Sequence, residues 1–288
     1  MPFATRDGVS LYYEYETAAG DGDPVVFVQG LGVGRWSWHW QREPIGEEYN
    51  VLLPDNRGTG NSEAALPPLI PRLPRPLRLL LFTKLAGYSV EGLAADLDAV
   101  LADATVDRVH VVGASLGGMI AQQYALDYDR ARSLTLMCTT HGGPDAVPIP
   151  DETAERLFDV PEDADERERI RYRMRPAIND EWADQHPETI EQIVDWRLEQ
   201  DAGSVARESQ GAAGANFDVS DRVHSIDVPT LVLHGTSDCV VPSTNGQLLA
   251  EKVPGSRLEL VEDGSHLFMI ENAETVNESL LEFLAENG

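Results

Sequence analysis

Apolar residues recur along this chain with two periods. Residues 9–16 alternate apolar and polar and are rich in tyrosine, which suits an antiparallel strand. Short apolar runs at 25–28, 51–53, 109–112, 134–138, 230–234 and 258–261 read as buried strands. Between them the period lengthens. From Ser89 onward, Val90, Leu93, Ala94, Leu97 and Leu101 mark one helical face, and further helices follow the 109–112 run and close the chain from about Glu274. Strands alternating with helices predict an α/β fold with a mostly parallel sheet covered on both faces.

Two segments break the alternation. Residues 66–87 hold prolines at 67, 68, 71, 74 and 76 and no acid, with Arg72, Arg75, Arg78 and Lys84 as bases. This apolar, basic insertion reads as a proline-stiffened flap bordering the pocket entrance, with a surface docking site or an oligomer contact as the alternatives. Residues 141–220 read as several acidic helices. The spacing there predicts Glu166–Arg169 and Glu168–Arg171 pairs along a salt-bridged surface face.

Charge narrows the function. The 288 residues carry 22 bases and 49 acids, a net charge of -27, and only Lys84 and Lys252 among the bases are lysines. Such a chain is a poor partner for nucleic acid or anionic membrane, both of which select Lys and Arg. Self-repulsion of this size also suggests a salt-rich cytoplasm, the environment in which halophilic proteins use excess acid. No run approaches the ~18 apolar residues of a membrane-spanning helix. Met1–Gly8 has no apolar leader, so the expected location is cytoplasmic. Cys138 and Cys239 are too few for a disulfide scaffold or a zinc site and read as buried free thiols. No metal or cofactor is expected.

The chemistry centres on Gly113-Ala-Ser115-Leu-Gly117, a G-x-S-x-G between a strand and a helix. In that setting the serine stands on a strained turn, small neighbours let strand and helix approach, and the Leu116 N–H points at a developing oxyanion. A serine hydroxyl needs a base, and the base needs an acid to orient it. Of seven histidines, His266 follows a late strand, on the same sheet edge as Ser115. Asp238 follows the preceding strand. The chain order Ser115, Asp238, His266 is that of an α/β-hydrolase.

On these residues the chain resembles the α/β-hydrolases over most of its length. Gln29-Gly-Leu-Gly32 resembles the family's His-Gly loop, with Gln29 in place of the histidine, and Asp55-Asn-Arg-Gly-Thr-Gly-Asn-Ser62 matches its D-x-R-G-x-G-x-S loop. Asp55 and Arg57 are expected to hold that loop. Gly113–Gln123 and Met137–Pro144 look like small-molecule esterases and lactonases of the 3-oxoadipate enol-lactonase and aclacinomycin methylesterase kind.

The resemblance implies an eight-stranded-type core from residues 1–140 and 221–288, with residues 141–220 as a helical cap. It implies Leu31 and Leu116 N–H groups as the oxyanion hole. Trp36, Phe158, Trp182, Trp196, Phe217 and Leu267 are candidate pocket residues. The implied reaction is hydrolysis of a small ester or lactone through an acyl-enzyme, by a monomer or homodimer. The same triad would also serve C–C bond hydrolysis, perhydrolysis or acyl transfer. A non-catalytic ligand-binding member of the fold is the alternative from another class.

Overall fold

In a computed structural model, residues 2–18, 22–66, 69–74, 77–78, 88–158 and 163–288 are described. Eight strands form one sheet in the order β1-β2-β4-β3-β5-β6-β7-β8. They are β1 (Phe3–Arg6), β2 (Val9–Glu16), β3 (Pro24–Val28), β4 (Asn50–Pro54), β5 (Val109–Ala114), β6 (Ala131–Met137), β7 (Thr230–Gly235) and β8 (Arg257–Val261). β1 and β2 run antiparallel to their neighbours, and all pairs from β4 to β8 are parallel.

Strand patterning explains burial on both faces. Val26 and Val28 join one core cluster while Val25 and Phe27 join the other, and Leu231 and Leu233 lie opposite Val232 in the same way. Period-two alternation of two apolar faces is what a continuous apolar strand buys in a three-layer fold. On one face pack α2 (Val90–Asp103), α3 (Leu116–Asp127) and α9 (Thr244–Lys252). On the other lie α1 (His39–Gly46), the short α10 (Phe268–Glu271) and α11 (Ala273–Glu286). Ser89 caps α2 by accepting the Gly92 N–H at 3.1 Å.

Between β6 and β7 stand α4 (Asp151–Phe158), α5 (Glu166–Met174), α6 (Asp180–Gln185), α7 (Pro187–Gln200) and α8 (Ser204–Ala215). A bridge between Gly142 and Asp218 brings the two ends of this insertion together. The arginine run does not pair as its spacing predicts. Glu168 instead completes a capping box with Asp165, and Glu166 reaches Arg173 at 3.4 Å. Arg167 and Arg171 cross to Glu191 on α7, at 2.8 and 2.7 Å. Glu168 is drawn to the helix N-terminus and leaves Arg171 for the neighbouring helix.

Of the proline-rich insertion, residues 67–68, 75–76 and 79–87 lie outside the described residues. Its described part packs on α8: Ile70 is buried with Tyr88, just past the insertion, against Val205 and Ala212, and Arg78 pairs with Glu208 at 2.8 Å. Cys138 is buried, but Cys239 is exposed, against the expectation of two buried thiols. Cys239 lies in the loop after β7 rather than on a packed face. Among the described residues no helix is long and apolar enough to cross a membrane.

Candidate active site

Strand order reverses between β3 and β5, so the loops leaving their carboxyl ends splay apart and leave a crevice. Both loops carry candidate residues. Ser115 sits between β5 and α3 with φ 55° and ψ -118°, a left-handed backbone that costs a non-glycine residue on the order of 1–3 kcal/mol. Two contacts hold it there. Its N–H donates to Met137 O at 2.9 Å, and Thr139 Oγ1 donates to its carbonyl at 2.8 Å. Glycine is required on both sides. A Cβ on Gly113 would stand 2.3 Å from Gly117 O, and one on Gly117 would stand 1.9 Å from Val28 O.

The β3 loop comes as close. A Cβ built on Gly30 would lie 3.4 Å from Ser115 Cβ and 3.9 Å from its Oγ. Among the described residues the Leu31 and Leu116 N–H groups donate to no protein acceptor. Gln29, where the family has histidine, is fully buried; its Nε2 donates to Pro54 O at 2.7 Å, and Asn56 donates to its carbonyl at 3.0 Å. It ties the β3 loop to the β4 loop. Asp55 pairs with Arg35 and accepts the Asn61 N–H, while Arg57 grips buried Asp96 through two bonds of 2.8 and 2.6 Å. Both anchor that loop to its neighbours, Asp55 to the segment after β3 and Arg57 to α2.

Asp238 and His266 meet at the far side. His266 Nδ1 lies 2.8 Å from Asp238 Oδ2, and both side chains are buried. The other carboxylate oxygen accepts the N–H groups of Val240 and Val241 at 2.8 and 2.9 Å. Burial pushes the Asp238 pKa up, but adjacent His266 and hydrogen bonds from His234 and His266 outweigh it and hold the carboxyl well below its usual range. The His266 loop is tied across the site. Ser265 Oγ donates to Ala177 O at 2.8 Å and the Leu267 N–H donates to the same carbonyl at 2.9 Å.

Cys138 links the two halves. Its thiol, the Asp238 carboxylate and the His266 ring offer atoms within 4.8 Å of one another, all buried. The same thiol faces the Ser115 backbone. Burial, and then Asp238, push its pKa well up, so it is a neutral thiol here. Ser115, Asp238 and His266 thus share one neighbourhood, in the chain order read from the sequence.

Two residues of this neighbourhood escaped the sequence reading. Cys138 read as a core thiol. His234 read as a strand end, yet its Nε2 lies 3.3 Å from Asp238 Oδ2 and 2.8 Å from Val241 O. The i,i+4 spacing of His234 and Asp238 across the β7 turn is the only signal that pointed to it.

The pocket candidates divide. Phe217 is buried in one apolar cluster with Leu116 and Leu31, and Leu267 packs with Val240 and Val241 beside Asp238. Trp36 and Trp196 stack at 6.5 Å and line a recess of about 150 Å³ with Glu14, Arg35, His39 and Arg42. Trp182 stacks on His186 and borders a second recess, of about 220 Å³. Ser115, Asp238 and His266 line neither. The Phe158 side chain lies outside the described residues.

Residues 23–273 match the family described as alpha/beta hydrolase fold. The chain belongs to the α/β-hydrolase family. It is 30% identical over 286 residues to a protein named putative carbamate hydrolase RutD from Variovorax paradoxus strain S110, covering 96% of each. Among solved structures it is similar to Est816, described as an N-acyl homoserine lactone degrading enzyme, with a TM-score of 0.75, 27% identity and 98% and 100% of the two chains covered. The enol-lactonase of Burkholderia xenovorans LB400 shares the fold, with a TM-score of 0.79 over 99% and 100% of the two chains at 23% identity.

Proposed function

We propose that this α/β-hydrolase is a serine hydrolase that cleaves a small carboxylic ester or lactone. Ser115 is the nucleophile, His266 the general base and Asp238 its orienting acid. The observation that carries this reading is Ser115 on a left-handed turn, in one neighbourhood with an Asp238–His266 pair at 2.8 Å. His266 takes the Ser115 proton as Oγ attacks the carbonyl. Asp238, kept ionised, holds the ring with Nδ1–H toward itself and Nε2 free for the proton in transit. The Leu31 and Leu116 N–H groups receive the oxyanion, each worth on the order of 10²–10³ in rate. His266 then protonates the leaving alcohol and activates water on the acyl-enzyme. Helices α4–α8 act as the cap that selects the substrate, with Phe217 and Leu267 as walls nearest the chemistry.

A carbamate is the second substrate reading, favoured by the relative named as a carbamate hydrolase. It uses the same groups on a carbonyl flanked by nitrogen. C–C hydrolysis, perhydrolysis and acyl transfer differ from these in pocket shape rather than in the triad.

The test is active-site labelling with a fluorophosphonate, together with a panel of p-nitrophenyl esters, lactones and carbamates. The wild type is expected to label and turn over. Ser115→Ala should lose labelling and about 10⁴ or more in kcat. Labelling that persists in Ser115→Ala, or a wild type that never labels, would overturn the assignment.

A further inference from the structure

Within the acidic inserted helices one buried cluster carries an excess of positive charge, opposite in sign to the rest of the molecule. Arg173 on α5, Arg197 on α7 and Arg207 on α8 lie close enough to repel one another, and each is mostly buried. Their side chains are 15%, 9% and 17% exposed. One buried acid serves them. Asp201 binds Arg197 Nε at 2.7 Å and stands 3.7 Å from Arg207. Its other oxygen is already taken by the Trp36 Nε1–H and the Gly34 N–H, at 2.9 and 3.2 Å.

The remaining acid, Glu166, is 60% exposed and reaches Arg173 only at 3.4 Å. Arg173 Nε is buried with no hydrogen-bond partner among the described residues. Burial, opposed by Asp201 and aided by Arg197 and Arg173, pushes the Arg207 pKa down to about 10, and burial and then Arg197 lower that of Arg173. Arg207 Nη2 donates to Ala202 O at 3.0 Å, so the unmet donor lies on Arg173, and a buried guanidinium short of acceptors is costly unless a ligand supplies the missing charge.

The cluster also adjoins the candidate oxyanion loop. A Cβ on Gly32 would lie 3.0 Å from Arg207 Cγ and 3.3 Å from its Nε. Gly30, two residues earlier, is the residue that abuts Ser115, so Arg207 meets this loop two residues, or at most roughly 7 Å of chain, from the residue in contact with the serine. A guanidinium fork is shaped for bidentate binding of a planar carboxylate.

We propose that Arg173 and Arg207, braced by the Arg197–Asp201 pair, form an anion subsite that takes a carboxylate carried by the substrate of Ser115. The substrate class is then a short-chain ester or lactone bearing a free carboxylate. This rests on the reading of Ser115 as the nucleophile. With the whole chain at -27, the long-range field repels anions, so a preference for them has to come from a local site.

The experiment compares two matched pairs of substrates, each rate normalised to spontaneous hydrolysis. One pair is p-nitrophenyl hydrogen glutarate against p-nitrophenyl pentanoate. The other is a nitrophenyl acetate with and without a ring carboxylate, which places the charge on the alcohol side. The expected result is a kcat/KM preference of about tenfold or more for the anionic member of one pair, expressed in KM. Free glutarate should inhibit wild-type hydrolysis of the neutral ester competitively. Arg207→Met and Arg173→Met should each cut the preference about tenfold, and Arg207→Lys should keep part of it.

Neutral esters cleaved with no anionic preference in either pair and no glutarate inhibition would overturn the subsite and leave the hydrolase reading standing. A preference that survives both Met variants would also overturn it. Absence of any ester turnover and of Ser115 labelling would remove the hydrolase reading, and the subsite with it.

Discussion

Asp238 accepts from more donors than an orienting acid needs. Two backbone N–H groups hold one oxygen, and the second faces two imidazoles, His266 at 2.8 Å and His234 at 3.3 Å. His234 is fully buried, and Gly246 leaves room for its ring, since a Cβ there would meet His234 Nδ1 at 2.6 Å. Its Nε2 bridges Asp238 and Val241 O, so it braces the turn that carries the acid. On the proposed function, His234 is expected to act as a positioning residue. His234→Phe should lower kcat roughly tenfold, the worth of one buried hydrogen bond of about 1.4 kcal/mol. Because Asp238 then loses a competing donor, the acid limb of the kcat/KM profile should move to higher pH, and His234→Gln should restore much of the rate. An unchanged pH profile with a lower melting temperature alone would mark His234 as a packing residue. Ser115, Asp238 and His266 were legible because each follows a strand in a fixed chain order. His234, Cys138 and Arg207 were not, because their partners lie across turns or in another helix, and pattern along a chain does not show depth.

The β5–turn–α3 unit is the element on which the site stands, and it has almost no slack. Gly117 passes so close to β3 that Gly117→Ala would drive a methyl into the Val28 carbonyl, a backbone atom that cannot swing aside. A loss of about 3 kcal/mol or more is expected, read as soluble yield and urea midpoint. His110, in the same strand, gives a pH test. Its Nδ1 meets Ser133 Oγ at 2.7 Å, while burial and then Arg132 push its pKa down to about 4. The unfolded chain takes up that proton near pH 6.5 and the folded chain does not. Stability should then be full above pH 6.5 and fall toward pH 4, by on the order of 3 kcal/mol. His110→Gln should flatten that fall in urea titrations at pH 7.5 and 5.0; an equal slope in both proteins would place the titration elsewhere. Element boundaries were legible where apolar runs were long. β1 was missed because it has four residues and exposed flanks, although Asp7 and Gly8, at φ 52° and 77°, form the tight turn that their identities announce. The helices of the insertion were legible as helices, but their pairing was not, since Arg167 and Arg171 look past their own helix to Glu191.

At the scale of the whole molecule the question is what the excess acid does. With 49 acids and 22 bases, the acids outnumber the bases by 27, and even arginines that serve two acids leave that excess charge in place. The strongest pairs are buried, such as Arg57 with Asp96 and Arg197 with Asp201, and salt screens these little. Most acids among the described residues are at least partly exposed. Their mutual repulsion reaches about 10 Å at 0.1 M salt and about 3 Å at 1 M. Added KCl thus removes more repulsion than attraction, and the folded state gains because its charges are closer together than in the unfolded chain. The residues most affected lie between 141 and 220, where 20 acids meet 8 bases. The expectation is a urea midpoint that rises steadily from 0.1 to 2 M KCl, with most of the gain in the helices of that segment as read by hydrogen exchange. Urea is the right denaturant because it carries no charge and leaves the screening to the salt. NaCl should match KCl at equal ionic strength if screening is the cause. A midpoint that stays flat, or falls as surface pairs weaken, would mean that the exposed pairs outweigh the excess, and the inference of a salt-rich cytoplasm from composition would fall. The proposed serine-hydrolase chemistry, which uses one of the 49 acids, would be untouched by that result.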